Sequence, residues 1–172
     1  VVVNPIDWRK VMVHQAGGCL CGANRYAVRS EPARVTVCHC RFCQRATGSA
    51  FLVEPIFSKS DFEHTNGELK TYAHRSEGSG KLIYIHFCET CGTKLFLTLE
   101  RFTEIVAVFA GTFDDPNWFE RTPENSKQIY LGVAQKGTVI PAGIETFIEH
   151  FNAADGQPSE ATVYAEPKTI GF

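Results

Sequence analysis

No cysteine of this chain lies outside three short clusters: Cys19 and Cys21, then Cys38, Cys40 and Cys43, then Cys88 and Cys91. That confinement argues against a disulfide framework. Seven is an odd number, a bridge inside Cys-x-Cys or Cys-x-x-Cys closes a very small strained ring, and disulfide scaffolds are mostly short secreted domains. The basic excess of a nucleic-acid binder is also missing, with a net charge of −2 and a pI near 6.3. No apolar run approaches the roughly 18 residues that a membrane span needs. Val1-Val2-Val3 followed by Asn4-Pro5 is too short for a secretion signal. Reduced-type cysteine clusters without an export signal make the cytoplasm the expected compartment. There is no internal repeat and no long 3.6-residue apolar stripe. Glu77-Gly78-Ser79-Gly80-Lys81 lacks the spacing of a phosphate loop and is expected to be a flexible hairpin tip.

What the chain does have is a core and many short β-prone runs. Of its 172 residues, 44% are hydrophobic and thirteen are Phe, enough for one domain that buries about 70% of its extended surface. Strands are expected near Val11–Gln15, Ala23–Arg29, Ala33–His39, Ala50–Phe57, Glu68–Ala73, Lys81–Phe87, Thr93–Leu99, Glu104–Ala110 and Gln128–Ala134. Turn formers separate them at Gly17-Gly18, Asn66-Gly67, Gly78-Ser79-Gly80 and Asp114-Asp115-Pro116-Asn117. A short helical turn is expected over Arg41–Thr47. In Lys81–Phe87 neither alternate set of side chains is purely polar, which predicts a strand buried on both sides or covered by a partner. The fold class expected is all-β. Ala153–Ser159 has a linker composition and is followed by a β-prone end, whose pairing with a second copy would give a homodimer.

Cys-x-Cys and Cys-x-x-Cys are two-toothed grips on a soft metal ion. Structural zinc takes four ligands, and catalytic zinc usually takes three with one position open. Seven cysteines are four plus three. A redox role for Cys88-Glu89-Thr90-Cys91 is a weaker reading, because that pair does not stand alone. On an extended strand, residues i and i+2 share a face, so Cys19 and Cys21 project together, as do Cys38 and Cys40. His39 then points away and serves as a partner-satisfied or supporting group rather than a ligand. Cys88-x-x-Cys91-Gly92 looks like a zinc knuckle whose glycine lets the backbone turn tightly. Spacing leaves two groupings open. One joins Cys19, Cys21, Cys88 and Cys91 and leaves Cys38, Cys40 and Cys43. The other joins Cys40, Cys43, Cys88 and Cys91 and leaves Cys19, Cys21 and Cys38. The first is simpler, since one six-residue segment supplies the open site.

Three segments carry a resemblance: Gly17-Gly18-Cys19-Leu20-Cys21-Gly22-Ala23-Asn24-Arg25-Tyr26, Cys38-His39-Cys40-Arg41-Phe42-Cys43-Gln44-Arg45-Ala46-Thr47-Gly48 and Phe87-Cys88-Glu89-Thr90-Cys91-Gly92-Thr93-Lys94-Leu95-Phe96. Together with Asn66–Tyr72 and Ile140–Phe147 they resemble the glutathione-dependent formaldehyde-activating (GFA) family, which also includes centromere protein V. The resemblance runs from about His14 to Phe147. It implies a GFA-type domain over residues 14–147, between extensions at 1–13 and 148–172, and a β-tent of antiparallel sheets. It also implies the first grouping: Cys19, Cys21, Cys88 and Cys91 around a structural zinc, and Cys38, Cys40 and Cys43 around a catalytic one, two Zn²⁺ per chain. The implied activity is that of a carbon–sulfur lyase acting on S-hydroxymethylglutathione, the adduct of glutathione and formaldehyde. Gln135-Lys136-Gly137 stands where relatives often carry a small-Pro-Trp stretch, a departure that bears on the substrate.

Three thiolates leave Zn²⁺ with a net charge of about −1, which blunts it as a Lewis acid and suits it to receiving a fourth sulfur. A small thiol, glutathione among them, is therefore the expected partner. Arg41 and Arg45 flank the open site and are candidates for the thiol's carboxylates. Phe42, Phe51, Phe87 and Phe96 are candidates for a pocket wall or for plain core. A non-catalytic zinc-stabilised interaction module, as centromere protein V suggests, is the alternative to an enzyme.

Overall fold

The computed structural model describes residues 15–153 and 155–171. The N-terminal extension over residues 1–13, and all of the expected strand Val11–Gln15 except its last residue, lie outside them. In chain order the strands are β1 (Gln15–Gly18), β2 (Arg25–Val28), β3 (Arg34–Cys38), β4 (Leu52–Ser58), β5 (Phe62–Asn66), β6 (Leu69–Arg75) and β7 (Leu82–Cys88). They continue with β8 (Lys94–Leu99), β9 (Ile105–Val108), β10 (Ser126–Ile129), β11 (Val139–Ile140), β12 (Glu145–Thr146), β13 (Thr162–Val163) and β14 (Lys168–Thr169). A single α-helix among the described residues, α1, covers Arg41–Thr47, the segment expected from the sequence. The all-β expectation holds.

One large sheet runs β13-β12-β10-β3-β4-β9-β8-β7-β6, and a small one runs β1-β2-β5. The pairing is antiparallel except where β10 lies parallel to β3 and to β12. Alternation along the central strands divides the core in two. On β4, Leu52 and Ile56 enter the cluster that holds Cys38 and Cys43, while Phe57 enters the cluster that holds Cys19 and Cys88. On β9, Ala107 joins the first and Val106 and Val108 join the second. The period of two in side-chain direction thus gives each cysteine cluster its own apolar bed.

Gly17 and Gly18 are not a turn. Both belong to β1, where Gly17 pairs with Tyr26 and Gly18 with Arg25. A Cβ on Gly17 would stand 2.3 Å from Tyr26 Oη and 2.5 Å from the Thr112 carbonyl oxygen. Tyr26 is buried, and its hydroxyl lies 2.9 Å from Thr112 Oγ1. Gly17→Ala is therefore expected to cost about 1–3 kcal/mol through overpacking, read as a shift of the denaturant midpoint at unchanged slope. Asn66-Gly67 is a turn, but β5 and β6 do not pair: the chain crosses there from the small sheet to the large one. The Gly78–Gly80 tip does close a hairpin, with Arg75 opposite Leu82.

Two other expectations are corrected. β7 is half-buried on both faces, because its neighbour β6 is an edge strand that is mostly exposed. Gln128–Ala134 is a strand only at its start, since Tyr130 adopts a left-handed backbone and a 3₁₀ turn follows over Leu131–Val133. The β-prone C-terminal end pairs with its own chain, β13 on β12 and β14 on β11. Ahead of it, Phe147 and Phe151 pack onto the cluster that holds Cys38, and the Tyr130 amide donates to the Glu149 carbonyl at 2.9 Å. No helix among the described residues is long and apolar enough to cross a membrane.

Candidate functional site

The sulfurs of Cys19, Cys21, Cys88 and Cys91 lie within 4.8 Å of one another. Cys19 and Cys21 sit in a turn after β1 rather than on a strand. That turn is closed by the Cys19 amide donating to the Asn24 carbonyl and the Gly22 amide donating to the Cys19 carbonyl, both at 3.0 Å. Cys88 ends β7, and the chain folds back so that the Gly92 amide reaches the Cys88 carbonyl at 2.9 Å. Gly92 has φ +73°, a conformation that glycine adopts without steric cost, as the knuckle reading requires. Cys19 and Cys21 sulfurs are 3.5 Å apart, and Cys21 and Cys88 sulfurs 3.7 Å. Tetrahedral Zn–S bonds of about 2.3 Å place sulfurs roughly 3.8 Å apart, so this donor set fits zinc. Thr93 Oγ1 accepts from the Leu20 amide at 3.2 Å and lies 3.1 Å from Cys91 Sγ, which leaves its proton for the sulfur. That hydroxyl first, then the Thr93 amide, brings the Cys91 thiol down to about 5.

Cys38, Cys40 and Cys43 form a separate group, also within 4.8 Å. Cys38 is the last residue of β3, Cys40 caps α1, and Cys43 lies in the first turn of that helix. The grip is a strand-to-helix corner rather than two positions on one strand. The Cys43 amide donates to Cys40 Sγ at 3.3 Å, as an N-cap side chain accepts from the first turn. Cys38 and Cys43 are buried, and Cys40 is half-buried. Crowding drives the thiols apart: hydrogen bonds from Cys38 and then Cys43 take Cys40 down to about 3. Cys38 and Cys43 are pushed well above the ordinary thiol range, first by the Cys40 and Cys38 sulfurs respectively. A divalent cation would relieve that crowding and hold all three as thiolates, so this set also fits a metal. All seven cysteines are free thiols, and their arrangement is the first of the two groupings that spacing allows.

His39 stays out of the sulfur group and is 1% exposed. Its Nε2 donates to Gln128 Oε1 at 2.8 Å, and its ring tilts against Phe51. Nδ1 is buried without a hydrogen bond, so the expected satisfaction of this ring extends to one nitrogen. Arg41 is exposed and donates to Gln44 Oε1. Gln44 in turn donates to the carbonyls of His39 at 2.6 Å and Val133 at 2.9 Å. Arg45 is exposed on the last turn of α1. Neither arginine lines the cleft of about 610 Å³ walled by Thr47, Phe51, Leu52 and Phe109, with Lys94 and Arg121 as its cations. Of the expected aromatic wall, Phe51 is on this cleft, Phe42 stacks on His74, and Phe96 is core.

Sequence reasoning passed over two residues beside the three sulfurs. Tyr130 is the one non-glycine residue with positive φ among those described, at φ +61°. Such a conformation costs of order 1–3 kcal/mol and gathers at functional sites. Burial first, then the charges of Cys38 and Cys40, pushes its hydroxyl up to about 12. Glu54 is the second. Burial first, and then the charge of Cys40, raises its carboxyl to about 8, against the opposing pull of Arg34. A carboxylate inside Leu52-Val53-Glu54-Pro55-Ile56, an otherwise apolar run, was the signal available in the sequence.

Comparison with known proteins bears on the same residues. A curated protein of Halomonas elongata, named "Putative glutathione-dependent formaldehyde-activating enzyme", is 29% identical over 111 residues, which are 63% of this chain and 69% of that one. Among solved structures, a Rhodobacter sphaeroides protein aligns at a TM-score of 0.47 and 23% identity, covering 58% of this chain and 87% of that one. The family model described as glutathione-dependent formaldehyde-activating enzyme matches residues 14–132. That match takes in both cysteine groups and well over half of the sequence, and the chain therefore belongs to the glutathione-dependent formaldehyde-activating family.

Proposed function

We propose that the protein is a two-zinc enzyme that joins formaldehyde to a small thiol, with glutathione as its first candidate, and releases it again as a carbon–sulfur lyase. The observation that carries this reading is the separate group of three sulfurs, one donor short of a closed tetrahedron, beside a complete group of four. Cys19, Cys21, Cys88 and Cys91 would hold the structural ion, and Cys38, Cys40 and Cys43 the catalytic one. Zinc bound by three thiolates supplies a soft position that favours the deprotonated form of an incoming thiol. The chain's own residues supply the rest. Leu52, which lies opposite Cys38, joins Phe51 and Phe109 in an apolar wall of the cleft, where the body of the thiol would rest. Lys94 and Arg121 in that cleft are matched to the carboxylates of a glutathione-like thiol, with Arg41 and Arg45 as alternatives on α1, outside the cleft. Seven free thiols suit a reducing compartment such as the cytoplasm.

Metal analysis is expected to give two zincs per chain. In ¹³C NMR of labelled formaldehyde with glutathione, the hydroxymethyl thioether resonance should then grow faster with the protein than without it. A two-zinc protein that leaves the spontaneous rate unchanged, with glutathione and with other small thiols, overturns the reading.

A further inference from the structure

Glu54 lies on the same sheet face as the three-sulfur group. In the β3–β4 pairing, Cys38 is opposite Leu52, Thr36 opposite Glu54 and Arg34 opposite Ile56. Directly opposed residues share a face, and Cys38, Leu52 and Ile56 pack in one cluster. Glu54 is thus the diagonal neighbour of Cys38, at about 7–8 Å between backbones, a gap that a long side chain crosses. Leu52 and Ile56 flank it on its own strand, and the residue is still partly exposed.

A carboxylate in such a place normally has a partner. Glu54 has no hydrogen bond and no ion pair among the described residues, although Arg34 and Lys127 share its part of the face. Both cations make their direct contacts elsewhere, and Arg34 acts on Glu54 only through its charge. Arg34 Nε donates to Thr36 Oγ1 at 3.2 Å, and its guanidinium lies over the Phe151 ring. Lys127 pairs with Glu145. The carboxylate therefore keeps its lone pairs for something that enters beside the sulfurs.

We propose that Glu54 is the proton-carrying catalytic residue of this site, taking the proton of the substrate thiol and returning it to the oxygen of the new hydroxymethyl group. The inference rests on the thiol–formaldehyde reading above. The thiol S–H bond breaks, and its proton moves to the Glu54 carboxylate. The sulfur electron pair forms the S–C bond as the C=O π pair withdraws onto oxygen. The Glu54 carboxyl then gives its proton to that oxygen. The adduct is neutral, the carboxylate is restored, and no further reactant is consumed. A general acid–base group in reach of both atoms is worth about 10²–10⁴-fold in rate.

The test compares wild type, Glu54→Gln and Glu54→Ala in the NMR assay, with zinc content and melting temperature measured on each. Acceleration by the wild type decides the reaction itself; its absence removes that reading before Glu54 is at issue. Given an active wild type, Glu54→Gln should lose about 10²-fold or more in kcat with little change in KM, two zincs retained and the melting temperature kept. Added formate should restore part of the rate to Glu54→Ala and none to Glu54→Gln, because only the smaller side chain leaves room for a substitute carboxylate. Wild-type turnover in Glu54→Gln overturns the proposal. So does a loss that tracks lost zinc or lost fold, or the absence of formate rescue in a folded two-zinc Glu54→Ala protein.

Discussion

Cys88→Ser is expected to unfold the protein, or to lower its melting temperature by tens of degrees, and chelation of the wild type to do the same. Cys88 is fully buried at the end of β7, packed with Tyr26, Phe57 and Leu95. Its three companions come from the turn after β1 and from the knuckle before β8. The four-sulfur group is therefore a joint between the small sheet and the large one, beside the apolar cluster in which Tyr26, Val28 and Phe62 meet Phe57, Leu95 and Phe96. Metal held by such a joint contributes folding free energy directly, about 10–16 kcal/mol in zinc-finger peptides, which exceeds or equals the whole stability of most domains. Thermal melts with and without chelator, alongside zinc content, check it. A folded, cooperative Cys88→Ser chain with wild-type melting would show that the apolar cluster alone holds the two sheets together.

Cys40→Ser should behave in the opposite way, abolishing thiol-adduct formation while the fold persists. Cys40 is half-buried at the N-cap of α1, and serine is itself a good N-cap residue, so the Cys43 amide keeps an acceptor. The apolar bed of Leu52, Ile56, Ile85, Leu97 and Ala107 does not depend on it. What is lost is one of three thiolates: zinc content should fall from two to one, and turnover to the spontaneous rate. Unchanged turnover in this variant would sink the assignment of Cys38, Cys40 and Cys43. Together the two variants separate the groups by phenotype, one giving loss of fold and the other loss of chemistry.

Much of this molecule was legible in the sequence because its signals are local. Short β-prone runs between turn formers located β2, β3, β4, β6, β7, β8 and β9, and Gly92 after Cys91 announced a knuckle. Other features were not local. Gly17-Gly18 has the composition of a turn, yet its glycines are there because Tyr26 and Thr112 come within 2.3–2.5 Å of where a Cβ would sit. The period-two argument for Cys38 and Cys40 assumed one continuous strand, whereas the chain turns into α1 between them. Arg41 and Arg45 looked close to the open site because they are close in sequence, but both stand exposed on α1. The cleft draws its cations from β8 and the loop near residue 121 instead.

The sequence by itself determined the three cysteine clusters, the family and the all-β class, since cysteine spacing, motif order and β-prone runs are properties of neighbouring residues. Which cysteines share a sulfur group was decided in three dimensions. So was the position of Glu54 diagonally across from Cys38, and that of Tyr130 in its left-handed backbone. The physical reason is that strand register and sheet order bring together residues far apart in the chain, as at His39 and Gln128, 89 positions from one another. No local pattern encodes that pairing, because it is fixed by which apolar faces bury one another.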